Sequence, residues 1–140
     1  MMVQSNRPPS VFAPEILLIE QSAMIGNIIV STARQLGLQP IRLVTSSRGA
    51  LQLMENQVFA GLITSLDDEA AALALIQRLR DGKFKSPSNT PIAITTGQCS
   101  AELANRIKLF NARRILLKPF KIRDLVTTIE ILASAPSPSA

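Results

Sequence analysis

The stretch Phe59-Ala-Gly-Leu-Ile-Thr-Ser-Leu-Asp-Asp68 organises the rest of this chain. It is a short apolar run that ends in two hydroxyls and opens into an acidic loop, which predicts a buried central β-strand with Ser65 at its C-terminal tip. Open α/β sheets carry their chemistry in the crevice beyond the carboxyl ends of the strands. The residue at position 65 should therefore define the functional pocket.

Length and composition predict one globular domain with short extensions. The chain has 140 residues, of which 46% are apolar and 18% charged, values typical of a folded protein. Residues 1–13 are expected to form a flexible N-terminal extension, 14–133 the domain, and 134–140 a Pro/Ser-rich tail or linker. With no signal-peptide pattern and no membrane-length apolar stretch, we expect a cytoplasmic protein that does not enter a membrane.

The residue inventory restricts the possible chemistry. Cys99 is the only cysteine and the chain contains no histidine, which excludes an intramolecular disulfide, a Cys/His zinc site and triads that need imidazole. No Gly-rich phosphate loop is present either. We therefore predict that the chain is not an enzyme and that it holds no metal or cofactor. Cys99 is interpreted as incidental rather than as a redox sensor.

Apolar β-like runs alternate with helical patterns along the whole middle of the chain. This alternation predicts a (βα)5 order with right-handed crossovers. Serines are expected to begin three of the helices and Gly37 and Gly82 to end two. In the first helix, one apolar stripe is predicted to face the core. The predicted strands are residues 16–19, 41–44, 59–65, 91–97 and 114–118, and the stripe consists of Met24, Ile25, Ile28, Ile29, Ala33 and Leu36.

The fragment Leu117-Lys-Pro-Phe120, which closes the fifth predicted strand, is the most specific motif. Together with Thr96 at the end of the fourth strand, it resembles the receiver domain of bacterial response regulators, the CheY-like family. The resemblance runs from about Glu15 to Ala133. It implies a CheY-like, flavodoxin-like three-layer sandwich whose parallel five-stranded sheet has the order 2-1-3-4-5.

The resemblance also implies a pocket. In this family the first strand ends in two Mg²⁺-binding acids, the third strand in a phosphorylated Asp, and a Thr and a Lys contact the phosphoryl group. The matching positions here are Glu20, Gln21, Ser65, Thr96 and Lys118.

Three positions depart from the family pattern. Gln21 replaces an acid, Ser65 replaces the phosphoacceptor, and Ile115 stands where a switch Tyr or Phe is usual. We therefore expect a degenerate pocket without catalytic residues or useful Mg²⁺ affinity. Lys118 should instead reach Glu20, directly or through Ser65 and water.

Two acidic residues follow the central strand. Asp67 and Asp68 are interpreted as caps of the next helix rather than as displaced phosphoacceptors.

These departures predict a phosphorylation-independent pseudo-receiver of a two-component-type pathway that acts by binding another protein. The resemblance implies an interaction face on the fourth helix, the fifth strand and the fifth helix. Its partner would be a kinase, an output domain, an effector or a second copy of the chain. The alternative is anion or nucleic-acid binding through the same basic face, although nucleic acid is disfavoured because Tyr and Trp are absent. The residues assigned to this face are Arg106, Phe110, Arg113, Arg114, Ile115, Lys121, Arg123 and Asp124.

Overall fold

A computed structural model describes residues 14–134 of the chain. The predicted extension 1–13 and residues 135–140 of the predicted tail lie outside the described residues. Strands and helices alternate throughout the described range. They are β1 (Ile16–Ile19), α1 (Ala23–Gln35), β2 (Ile41–Val44), α2 (Ser47–Asn56), β3 (Gly61–Ser65), α3 (Glu69–Arg80), β4 (Ile92–Thr96), α4 (Ala101–Leu109), β5 (Arg114–Leu117) and α5 (Ile122–Ala133).

The five described strands form one parallel sheet in the order β2-β1-β3-β4-β5. Its central strand is β3, with Ile63 opposite Leu18 on one side and Ala93 on the other. The predicted topology is confirmed. Three strands, β3, β4 and β5, are one or two residues shorter than predicted. Because the strands are parallel, the carboxyl ends of β1, β3, β4 and β5 meet along one edge.

Helices cover both faces of the sheet, as runs of residues buried on both sides require. On one face, α2, α3 and α4 pack over side chains such as Leu62 and Ile94. On the other face, α1 and α5 pack over Leu18 and Ile63. All residues of β1, β3 and β4 are buried, so the central strands hold the two layers of core together.

The helix ends follow the predicted local chemistry. Ser22, Ser46 and Ser100 each accept a hydrogen bond from a backbone N–H three residues later, at 3.2, 3.0 and 3.1 Å. Two glycines and Asn111 adopt positive φ after helices, the asparagine with φ of 63°. A left-handed residue is the usual way to end a helix, and asparagine tolerates it better than other non-glycine residues.

The apolar stripe predicted for α1 is only partly buried. Ile29 and Ala33 lie in the core, whereas Met24 and Ile28 are 72% and 51% exposed. The reason is Gly26, at which an added Cβ would lie 2.6 Å from the Leu43 side chain. Close approach at this glycine turns the row of residues 26, 29 and 33 toward the sheet and leaves the neighbouring apolar row facing solvent.

The connection between α3 and β4 contributes buried side chains to the core, although its sequence is mostly polar. Phe84 is 9% exposed and joins the core beneath α2 and α3. Ser86 is buried, and its hydroxyl accepts a hydrogen bond of 2.9 Å from the Phe59 backbone N–H. This connection therefore anchors the chain just before the central strand. No described helix is long and apolar enough to cross a membrane.

Candidate functional site

Three of the five predicted pocket residues meet at the carboxyl edge of the sheet. Glu20 follows β1, Ser65 ends β3 and Lys118 follows β5. The Lys118 Nζ lies 2.8 Å from Glu20 Oε1 and 3.2 Å from Ser65 Oγ. The sequence predicted that Lys118 reaches Glu20 either directly or through Ser65 and water, and the structure has the direct contact.

The Glu20 carboxylate is both buried and fully engaged. Glu20 is 2% exposed, and the side chain of Lys118 is 18% exposed. While Oε1 accepts from Lys118, Oε2 accepts a 2.9 Å hydrogen bond from the Ser22 backbone N–H at the start of α1. A buried charge is tolerated when it is paired and hydrogen-bonded in this way, so the pair ties β1, α1 and β5 together.

Ser65 takes part in the network as an acceptor. Its Oγ accepts from Lys118 and also, at 3.2 Å, from the Asp67 backbone N–H. No hydrogen bond links Ser65 to Glu20 within residues 14–134. The hydroxyl therefore lacks a base positioned to remove its proton, as a serine nucleophile would require.

Asp67 is the pocket residue that sequence reasoning missed. Its Oδ2 lies 3.5 Å from Lys118 Nζ, with the side chain half exposed. Asp68 occupies the N-cap position of α3, as predicted, although its side chain makes no capping hydrogen bond. The capping role predicted for Asp67 is wrong, because its carboxylate faces Lys118. The available signal was its position two residues after β3, on the same edge as Lys118.

The remaining two predicted residues do not contact the Lys118 ammonium. Thr96 donates to the Gln98 carbonyl at 2.8 Å and so turns into its own loop. The Gln21 Oε1 is buried without a hydrogen-bond partner in the described part of the chain. Over the same residues, no group of three or more His, Cys, Asp or Glu side chains is arranged to hold a metal ion.

Several solved structures with this architecture are response regulators. The orphan response regulator HP1043 of H. pylori superposes with a TM-score of 0.73 at 20% identity, covering 86% of this chain and 97% of that one. The chemotaxis response regulator CheY4 of Vibrio cholerae gives 0.72 at 21% identity, covering 85% and 98%. A Burkholderia pseudomallei response regulator with a phosphorylated aspartic acid, calcium ion and citrate gives 0.70 at 20%, covering 86% and 69%.

The chain has the receiver fold. No protein-family model matches it, and no curated protein matches it significantly. The chain therefore shares its backbone architecture with these proteins, although about four in five of the aligned residues differ.

The residues predicted for the interaction face differ in how far they are exposed. Arg113, Lys121 and Arg123 are exposed, whereas Arg106 lies 3.7 Å from Glu69 and therefore faces α3. Ile115 on the edge strand β5 is 37% exposed. Sequence reasoning missed the two larger apolar contributions, since Leu109 and Leu117 are 86% and 54% exposed. Phe110 is half-buried against the core, and Arg114 and Asp124 are also partly buried.

A second apolar surface lies between α1 and α5. It is an open groove of about 380 Å³. Ile28 and Ile122, each about half exposed, form part of its walls. Lys118 also borders the groove, so one residue belongs both to the polar pocket and to this surface. The full lining consists of Ile25, Ile28, Ile29, Lys118, Pro119, Phe120, Ile122 and Leu125.

Proposed function

We propose that this chain is a pseudo-receiver, a phosphorylation-independent module of a bacterial two-component-type pathway that signals by protein contacts. The observation that carries the proposal is the ion pair between Lys118 and the buried Glu20, beside a serine at the end of β3. In this proposal, an internal carboxylate holds the lysine that a phosphoryl group would otherwise engage.

The chemistry of the pocket supports phosphorylation independence. Forming an acyl phosphate requires a carboxylate nucleophile, and a divalent cation normally neutralises the transferring phosphoryl charge. At position 65 the chain offers a hydroxyl that already accepts two hydrogen bonds. The nearby carboxylates of Glu20 and Asp67 both contact Lys118, which leaves few hard oxygens for Mg²⁺.

The face formed by α4, β5 and α5 supports a role in protein binding. It combines the exposed apolar side chains of Leu109, Ile115 and Leu117 with exposed Arg113 and Lys121. Apolar residues bordered by charge of one sign fit a protein surface with apolar anchors and acidic neighbours. The proposed partner is a kinase, an output domain or an effector, and a second copy of the chain could use Asp124 to offset the basic charge.

Incubation with acetyl phosphate and Mg²⁺, followed by intact-mass measurement, tests the proposal. We expect no mass gain, with a conventional receiver as the positive control. A hydroxylamine-labile gain that mapped to residues 65–68 would refute phosphorylation independence. The effect of Leu109→Ser and Leu117→Ser on association with a candidate partner or on self-association tests the binding face, with Met24→Ser on α1 as the matched control.

Nucleic-acid binding is a second candidate function. It is favoured by the exposed cations Arg113, Lys121 and Arg123, which form no ion pair within residues 14–134. A mobility shift with DNA or RNA that falls steeply with salt and is lost in Arg113→Ala plus Arg114→Ala would support it. Unchanged migration at low salt would exclude it.

A further inference from the structure

A polar cavity of about 440 Å³ lies at the end of the sheet opposite to Lys118. It borders the amino ends of β4 and β5, whereas Lys118 follows the carboxyl end of β5. The receiver-like pocket and this cavity are therefore separate sites. The lining residues are Arg80, Ser88, Asn89, Leu109, Phe110, Asn111 and Arg113.

Arg80 lines this cavity and is held by three hydrogen bonds. Its Nε donates to the Phe110 carbonyl at 2.7 Å, and one terminal nitrogen, Nη1, donates to the Ser88 and Thr90 carbonyls at 2.8 and 2.7 Å. Among the described residues, the second terminal nitrogen has no hydrogen-bond partner. Three backbone contacts thus orient a guanidinium that still has N–H groups to offer.

The positive charge of this cavity is not balanced by neighbouring acids. Arg113 stands beside Arg80, and across residues 14–134 neither guanidinium has a carboxylate within ion-pair distance. Burial, and next the charge of Arg113, lower the pKa of Arg80. Asp81 follows Arg80 in the chain, but its Oδ1 accepts from Gln77 Nε2 at 2.9 Å and it does not line the cavity.

The other polar groups of the lining are available as donors. The side chains of Ser88, Asn89 and Asn111 form no hydrogen bond within the described structure. A hydroxyl and two amides beside two guanidiniums can surround an oxyanion with directed N–H and O–H groups. The carboxyl end of α4 would by itself favour a cation, but the carbonyl of Phe110 at that end already accepts from Arg80.

We infer that this cavity binds a phosphate-type oxyanion between Arg80 and Arg113. Two guanidiniums without acidic partners among the described residues match a doubly charged ligand. Arg113 can offer a planar pair of N–H groups that matches its oxygen spacing, and Arg80 can add the N–H groups of its Nη2. The ligand is either free inorganic phosphate or the phosphate group of a small phosphorylated metabolite. This site is separate from the pocket at the carboxyl edge of the sheet, because none of its lining residues contacts Glu20, Ser65 or Lys118. It shares Leu109 and Arg113 with the proposed protein-binding face.

Amide NMR titration of the full chain tests the inference. Inorganic phosphate and adenosine 5′-monophosphate are added separately at constant ionic strength, with chloride as the balancing anion. We expect saturable shifts of the amides of Ser88, Asn89, Asn111 and Arg113. Tighter binding of the nucleotide would identify a phosphorylated small molecule as the ligand source, and equal binding would identify free phosphate.

Arg113→Gln should weaken the binding about tenfold or more, because it removes charge-assisted hydrogen bonds. Arg123→Gln is the matched control, since it removes the same charge from an exposed position outside the cavity. Shifts that do not saturate, that spread over the basic face, or that fall equally in both variants would overturn the inference. Far-UV circular dichroism and thermal melting establish that each variant is folded.

Discussion

Lys118 Nζ lies 2.8 Å from Glu20 Oε1, a contact between residues 98 positions apart in the chain. It joins the carboxyl end of β5 to that of β1 across β3 and β4. The same ammonium reaches Ser65 and Asp67, so one side chain gathers three polar groups. The proposed independence of phosphorylation rests on this internal pairing.

Lys118→Met should destabilise the protein by about 3 kcal/mol, because it leaves the buried carboxylate of Glu20 without its charge partner. Urea unfolding measures the change. Arg106→Ala is the control, since its pair with Glu69 joins two half-exposed side chains at 3.7 Å. Exposed pairs contribute about 1 kcal/mol or less.

A double-mutant cycle separates the pairing from the cost of an unpaired charge. Lys118→Met combined with Glu20→Gln should be less destabilising than the sum of the single changes. Strict additivity of the two free-energy changes would contradict a direct coupling between these side chains.

Restoring carboxylates should restore metal binding. Ser65→Asp with Gln21→Asp adds two hard-oxygen ligands beside Glu20. We expect Mg²⁺ to raise the melting temperature of this double variant, by binding the folded state alone, while leaving the native sequence unaffected. Treatment with acetyl phosphate and Mg²⁺ should then produce a hydroxylamine-labile mass gain. A folded double variant indifferent to Mg²⁺ would show that the pocket geometry, and not only its side chains, has been lost.

Arg80→Ala should lower the free energy of unfolding by about 2 kcal/mol, because it removes the hydrogen-bond donor from two partly buried carbonyls and one exposed carbonyl. Hydrogen exchange should accelerate in residues 86–91 and 109–113. The neighbouring Arg78→Ala serves as the control, since its ion pair with Glu55 spans 3.9 Å between half-exposed side chains. Equal effects of the two changes would argue against a special anchoring role for Arg80.

Phe84→Ala should lower the free energy of unfolding by about 3 kcal/mol, a value typical of truncating a buried aromatic side chain. The cost arises because Phe84 fills the core beneath α2 and α3 although it belongs to a connection. Thermal or urea unfolding measures it. A loss below about 1 kcal/mol, similar to that of Val58→Ala at a 46% exposed site, would contradict this packing role.

The sequence was most informative where the interaction is local. Ser22, Ser46 and Ser100 cap their helices within three residues, and Asn111 ends α4 through its own backbone tolerance. It was less informative about α1, where periodicity identified six candidate core residues without showing which row faces the sheet. That choice depends on the contact between Gly26 and Leu43 from another element.

In the pocket, too, some contacts were predictable from the sequence and others were not. The meeting of Lys118 and Glu20 was predictable because the resemblance to receiver domains assigned both residues to one pocket at the carboxyl ends of the strands. The role of Asp67 was not, because a short acidic loop after a strand fits a helix cap equally well until its direction is known. Only the folded chain shows that Ser65 accepts the Asp67 N–H and that the carboxylate turns to Lys118.

By itself, the sequence determined the alternation of strands and helices, the parallel sheet and the presence of a serine at the end of β3. These follow from hydrophobic periodicity, capping chemistry and residue identity, which are properties of neighbouring positions. Only the tertiary structure decided which charges pair and which stay uncompensated, as with Lys118 beside Glu20 and Arg80 beside Arg113. The physical reason is that electrostatic energy depends on distance and burial between residues far apart in the chain, and folding alone sets both.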